Sequence, residues 1–175
     1  TLGRQVRQAV ELLVQSFSES RISALTNGRP DPIPTSENEP YEAAVTVLMR
    51  IIFVLFAEER GLLPMNQGLY GRTYGLSGLL DELENENRRD ATLLDRTSSV
   101  WYRLLAASNS LYFGASFEDM RMPAYGGSLF DPNRFTWMYQ TSDGKGLDLV
   151  VNDRVMLHVL KSIQIVNQNN QARRI

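Results

Sequence analysis

One histidine is present in this chain of 175 residues, so any chemistry that needs an imidazole must use His158. On its apolar-periodic segment His158 falls opposite Met156, Leu160 and Ile163, a position that faces solvent. Zinc takes several nitrogen or sulfur ligands. With no cysteine and no second histidine, the sequence does not supply that set. Asp143-Gly144-Lys145 is the next arrangement with chemical content. A carboxylate two residues before a lysine, with another acid upstream to share a metal, is a nuclease-like pattern. That chemistry requires a rigid element to aim the groups, whereas Ser142 to Gly146 reads as a glycine-flanked turn.

The glycines at 68, 71, 75 and 78 do not form a phosphate cradle, because neither a Walker-type nor a dinucleotide-type spacing is present. Gly75-Leu76-Ser77-Gly78 approaches a nucleophile elbow but lacks the residue between the serine and the second glycine. Turn and cap use is the better reading. Glu58 and Glu59 are consecutive and precede Arg60. Neighbouring helical side chains diverge by roughly 100°, so the two acids cannot clamp one ion and read as members of a salt-bridge cluster, with Arg50 or the arginines of the first helix. Arg50 itself sits within an apolar helix and must find a partner, since a stranded buried charge costs several kcal/mol. Glu42 or another acid is the expected one. No catalytic, cofactor-binding or metal-binding residue is assigned.

The elements that carry these residues are helices. Leu2, Val6, Val10, Leu13 and Phe17 form one apolar stripe from about Leu2 to Leu25, with Arg4, Arg7, Gln8, Glu11 and Gln15 on the other side. Asn27-Gly28 and Pro30, Pro32 and Pro34 end it, leaving a loop to Glu39 that is expected to be mobile. Pro40 suits a first helical turn, with Asn38 and Glu39 as caps or dipole partners. From Tyr41 to Arg60 the chain is apolar nearly all round, with a narrow polar stripe through Glu42, Thr46 and Arg50. Such a helix is a central one, covered on several faces. Gly61 and Pro64 stop it.

Ser77 is placed to cap a short helix through about Glu86, and a further helix is expected from near Ala91 to Ser108, followed by an irregular stretch. Tyr125 to Ser128 and Asp131-Pro132-Asn133 carry turn chemistry, with Asp131 able to cap one helical turn. Leu147 to Val151 has the composition of a short strand. The last helix starts near Asn152 or Asp153 and buries Val155, Met156, Val159, Leu160 and Ile163, before a polar run, Asn167 to Gln171, that has nothing to pack. The expected fold is mainly α: one domain over residues 1–175, an irregular helical bundle around the apolar helix at about 41–60, with little or no β.

Composition narrows the function classes. A net charge of −2, with 18 basic residues spread among 20 acidic ones, is unlike a free-standing nucleic-acid binder, whose affinity comes largely from phosphate neutralisation. Taken alone the segment should bind DNA weakly or not at all. Absence of cysteine suits a reducing, cytoplasmic compartment. The greasy run Val45 to Ala57 falls short of the ~20 apolar residues of a bilayer span, so no membrane partner is expected. A helical pattern that begins at once at Thr1 reads as a piece of a larger multidomain protein.

Four stretches carry a resemblance: Thr1 to Val14 (TLGRQVRQAVELLV), Tyr41 to Pro64 (YEAAVTVLMRIIFVLFAEERGLLP), Pro123 to Pro132 (PAYGGSLFDP) and Asn152 to Leu160 (NDRVMLHVL). In this order they resemble a helical region of large bacterial restriction-modification and phage-defence proteins that precedes an N6-adenine DNA methyltransferase domain. These proteins are similar to single-chain type II enzymes. The resemblance implies a parent chain that uses S-adenosylmethionine, with Mg²⁺ where it also cuts DNA, and Ala172 to Ile175 resembles the point where such chains run on towards the catalytic domain. It assigns no cofactor to this segment. The Asn-Pro-Pro-Tyr motif that holds a flipped adenine is absent, and Asp131-Pro132-Asn133-Arg134 is not one. A glycine-rich S-adenosylmethionine loop after a strand is absent too. The implied role is therefore a non-catalytic scaffold or connector that meets DNA through its parent and touches other domains of the same chain. The alternative is a protein-interaction module that docks a partner subunit of a phage-defence complex.

Overall fold

The computed structural model describes residues 2–34, 37–64, 75–117, 120–122 and 127–173. The chain is mainly helical. Among the described residues there are five α-helices: α1 (Leu2–Thr26), α2 (Glu39–Glu59), α3 (Leu79–Arg89), α4 (Ser99–Phe113) and α5 (Asp153–Arg173). A two-stranded antiparallel hairpin, β1 (Ala115–Phe117) and β2 (Met120–Met122), follows α4, with Ser116 paired to Arg121. Helix α1 packs against both α2 and α5. Its stripe of Val10, Leu13 and Phe17 is buried with Ala9 and Ala24, as the three- and four-residue spacing requires.

Phe17 stands at the centre of an aromatic cluster that joins three parts of the chain. It meets Trp101 of α4 edge-on at 6.1 Å and Trp137 at 5.6 Å. Trp137 lies in a 3₁₀ turn, Thr136–Tyr139, and also meets Phe135 at 6.0 Å. Edge-to-face pairs of this kind add specificity beyond the area they bury.

Helix α2 is covered on several faces and open on one. Eleven of its residues are buried, Ala44, Val47, Leu48, Ile51, Val54 and Leu55 among them. Tyr41, Met49 and Phe56 are instead about half exposed or more, at 60%, 48% and 49%. Of the expected polar stripe, Glu42 is exposed and Thr46 partly exposed, and Arg50 departs from it. Arg50 is 1% exposed and faces inward, so the solvent side of α2 is its Tyr41–Met49–Phe56 side. By length and composition α2 is one helix that passes for a membrane span, which the count over Val45 to Ala57 did not anticipate. Half of that stretch is buried inside the fold, and its Arg50 and Glu58 are bonded to other segments, the packing of a core helix.

Other boundaries move for local reasons. Residues 91–98 do not open a long helix: a 3₁₀ turn at Leu93–Asp95 precedes a break, and α4 begins at Ser99. Its end reaches Phe113, past Ser108, and Gly114, at φ 79°, turns the chain into β1 where an irregular stretch was expected. Leu147 to Val151 forms no strand. Asp148 N–H donates to the Gln140 carbonyl, Ser20 Oγ donates to the Val150 carbonyl, and Leu149 and Val151 bury in the core. The neighbour there is a helix, not a strand. The loop after α1 is anchored rather than loose at its middle, because Asp31 takes two hydrogen bonds from Arg21 at 3.0 and 2.7 Å and one from Ile33 N–H. The expected loop glycines 68 and 71 and Tyr125-Gly126 lie outside the described residues. Helix α5 runs on through the polar stretch 167–171 to Arg173.

Candidate functional site

Among the described residues three charged side chains are buried, Arg50 at 1%, Glu58 at 4% and Asp153 at 1% exposure. Each joins parts of the chain that are far apart in sequence. Arg50 on α2 donates from Nε to the Leu129 carbonyl at 2.7 Å and from Nη2 to the Asp131 carbonyl at 3.3 Å. Burial lowers its pKa from the usual arginine range, and the Tyr139 hydroxyl and the Asp131 charge act against that. Burial likewise raises the Tyr139 hydroxyl. Arg50 Nη1 and Tyr139 Oη make no well-formed hydrogen bond, although the two groups influence each other. The expected acid partner is thus corrected to two backbone carbonyls. Glu42 pairs instead with Arg134, at 2.8 Å on the surface.

Glu58, near the C-terminus of α2, accepts from the Leu76 N–H at 3.0 and 3.1 Å and from the Ser77 N–H at 3.0 Å. Among the described residues Glu58 and Arg50 form no ion pair with each other. The capping role expected of Ser77 is corrected as well, since α3 has no side-chain cap and Gly78 occupies the cap position. The Glu58 carboxylate fixes the approach to α3 from another helix. One signal in the sequence pointed to this. An acid in the last turn of a helix opposes the helix dipole, so an acid placed there in an apolar helix needs a partner elsewhere.

Asp153 is the first residue of α5. Oδ1 accepts from Val100 N–H at 2.9 Å, and Oδ2 from Ser99 Oγ at 3.0 Å and from Thr97 Oγ1 at 2.5 Å. Its own N–H donates to the Thr97 carbonyl at 2.8 Å. One carboxylate at the start of α5 therefore satisfies the open amide end of α4, where a helix has unpaired N–H groups and positive dipole. The residue that caps α5 is Asn152, whose Oδ1 accepts from Val155 N–H at 2.9 Å. Asn152 was legible as a helix start; the reach of Asp153 to α4 was not.

The surface candidates are arranged differently. Asp143 Oδ1 accepts from Lys145 N–H at 2.9 Å and Gly146 N–H at 3.4 Å, closing its own turn around Gly144, which has φ 70°. The Lys145 amide holds its carboxyl below the ordinary carboxylate range, and Arg29 adds to that. Asp148 is engaged with Ser142 N–H at 2.8 Å and Ser142 Oγ at 2.6 Å. A cleft of ≈ 260 Å³ is lined by these residues with Ala24, Arg29 and Pro30. Backbone amides thus engage one oxygen of each carboxylate, Asp143 Oδ1 and Asp148 Oδ1. Among the described residues no three acids or imidazoles gather as a metal site. His158 is exposed on α5, as its helical position predicts. Glu58 and Asp143 are not brought together, and each serves its own segment.

Comparison with protein-family models, with curated proteins and with solved structures finds no match to this chain.

Proposed function

We propose that this chain is a non-catalytic helical scaffold of a DNA restriction-modification enzyme, whose parent is an S-adenosylmethionine-dependent N6-adenine DNA methyltransferase. The observation that carries the scaffold part is the use made of the buried polar groups. Arg50, Glu58 and Asp153 each bond to segments at least 18 residues away, and together they fix how α2, α3, α4 and α5 are joined. The parent's chemistry rests on the resemblance of the four stretches alone. A scaffold of this kind sets the spacing of neighbouring domains, and S-adenosylmethionine and any Mg²⁺ belong to those domains.

The test is methyl transfer to adenine by the full-length parent. Asp153→Ala should abolish it by loosening the fold. Asp143→Ala and Lys145→Ala should leave methylation, and any DNA cleavage, at the parent level. Loss of DNA cleavage with methylation retained in a folded Asp143→Ala protein would replace the scaffold with a metal-dependent nuclease centre at that turn.

The second reading, a module that docks another protein subunit, is favoured by the open side of α2. Met49 and Phe56 lie two turns apart on it, and Val45 and Ile52, which complete the alternating four- and three-residue spacing of a helix seam, are partly buried against the core. Met49 and Phe56 are about half exposed, and the Arg60 guanidinium lies over the Phe56 ring at 5.0 Å. Apolar faces of this kind on monomers often mark contact sites. Met49→Glu separates the two readings, since it should weaken subunit association without changing the stability of the isolated chain.

A further inference from the structure

The seam between α1 and α5 opens at one edge into a groove of ≈ 410 Å³, lined by Gln5, Gln8 and Leu12 of α1 and His158, Lys161 and Ser162 of α5. Its chemistry differs from that of the other clefts. The cleft at the 142–148 turn contains Asp143 and Asp148, and the one along the serines of α1 contains Glu19, Asp95 and Asp148. Among the described residues lining the α1–α5 groove there is no carboxylate. In a chain of net charge −2, an acid-free groove with an ammonium in its wall is the departure from the general surface.

The donors converge because of helical spacing. Gln5, Gln8 and Leu12 recur at three and four residues, as do His158 and Lys161 with Ser162, so each wall is a strip along one helix face. A strip of about two turns is roughly 10 Å long. The Ser162 hydroxyl already donates to the His158 carbonyl at 2.9 Å. That leaves the two amides, the imidazole and the ammonium facing the groove. Arg4, one turn before Gln8, and Glu11, beside Leu12 in sequence, are both exposed and carry opposite charges.

We propose that this groove is an oxyanion site for phosphate groups, with Lys161 supplying the charge and Gln5, Gln8 and His158 the hydrogen bonds. A phosphodiester backbone and a free phosphate ester share this chemistry. The scaffold reading bears only on which of them is the source.

Because His158 is the only histidine, its imidazole proton resonances can be read by NMR without ambiguity in the full chain. Inorganic phosphate, added at constant ionic strength, should shift them saturably, whereas chloride should not. A labelled DNA duplex followed by fluorescence anisotropy should bind about tenfold more weakly to Lys161→Glu and a few-fold more tightly to Glu11→Gln. Lys161→Ala should lower the slope of affinity against salt by about one. Lys161 and Glu11 are exposed, and circular dichroism checks that each variant is folded. A saturable phosphate shift with duplex affinity unchanged in Lys161→Glu assigns the site to a small phosphate ester and leaves the scaffold reading intact. No saturable shift with phosphate or duplex overturns the proposal, whatever the parent's activity.

Discussion

Asp153 and Asp143 are both aspartates that accept backbone amides, and the comparison between them separates the two kinds of polar structure in this chain. Asp143 closes a turn onto residues two and three positions ahead. Asp153 reaches across 53 residues to Val100 and holds Ser99 and Thr97 with it. The first contact stabilises a conformation that water would also support, because its groups are exposed. The second satisfies a buried donor, the Val100 N–H, that has no solvent alternative, and a buried donor without a partner costs about 1–3 kcal/mol. The same chemical pair is thus local and replaceable in one place, and long-range and obligatory in the other.

Removing the interior member should give the largest effect. Asp153→Ala strands the buried Val100 N–H and removes the part-buried hydroxyl bonds from Thr97 and Ser99, and is expected to lower unfolding free energy by about 3 kcal/mol in urea denaturation. Asp153→Asn keeps one carbonyl oxygen for Val100 and should lose about half as much. A loss under about 1 kcal/mol in Asp153→Ala would mean that α4 and α5 are not joined through this carboxylate.

Arg50→Met comes next. It leaves the Leu129 and Asp131 carbonyls without their donor but also removes a charge whose burial is itself costly, so the expected loss is about 2 kcal/mol. The structural readout is more specific than the energy. Proteolytic cutting near residues 127–131 should rise relative to cutting elsewhere, because Arg50 is what ties that segment to α2. Uniformly increased cutting along the chain would point to general destabilisation and deny Arg50 that tethering role.

The same contrast explains what could be read in advance. Helices α1, α2 and α5 follow from apolar spacing, and their positions agree with the structure to within a few residues because a repeating stripe is a local signal. Asn152, the Gly144 turn and Asp131, as a turn residue that accepts from Asn133 N–H, were legible for the same reason: donor and acceptor are neighbours in sequence. Asp131 caps no helix, since the 3₁₀ turn that follows starts at Thr136. The partners of Arg50 and Glu58 were not. They are backbone groups, which have no residue-type signature, and they lie 79 and 18 residues away. Leu147 to Val151 fails as a strand because composition reports a tendency to pack, while pairing depends on what stands alongside. Here α1 supplies Ser20 to the Val150 carbonyl. The open side of α2 illustrates a further limit. An apolar residue predicts burial only on average, and Met49 and Phe56 are identical in type to residues that the core takes in.

Acid sharpens the comparison at an intermediate level. Asp31 is held below the ordinary carboxylate pKa, chiefly by its hydrogen bonds from Arg21 and also by the Ile33 amide. A carboxyl with a lowered folded-state pKa contributes stability above its unfolded value, near 3.8, and that contribution is lost as pH falls through the folded value. The melting temperature should therefore decline as pH drops below about 4, and Asp31→Asn should flatten the part of the decline that Asp31 supplies. Both partners are partly exposed, at 34% and 27%, so the effect is screened and should shrink in high salt. An unchanged pH profile in Asp31→Asn would remove the pair as an anchor of the loop after α1.

The smallest effect is expected at the surface turn, where it is most informative. Asp143→Ala deletes the acceptor for Lys145 and Gly146, but both amides are open to water and Gly144 retains the positive φ that the turn needs. Thermal unfolding should be indistinguishable from that of the parent chain at neutral pH. Gly144→Val should do more than Asp143→Ala, although its Cβ would meet nothing within 4 Å, because a β-branched residue resists φ 70°. This ordering, backbone above carboxylate, is what a turn held by conformation requires. The reverse ordering would give the Asp143 carboxylate a role that its exposed hydrogen bonds do not account for, and would return attention to the cleft it lines with Arg29 and Asp148.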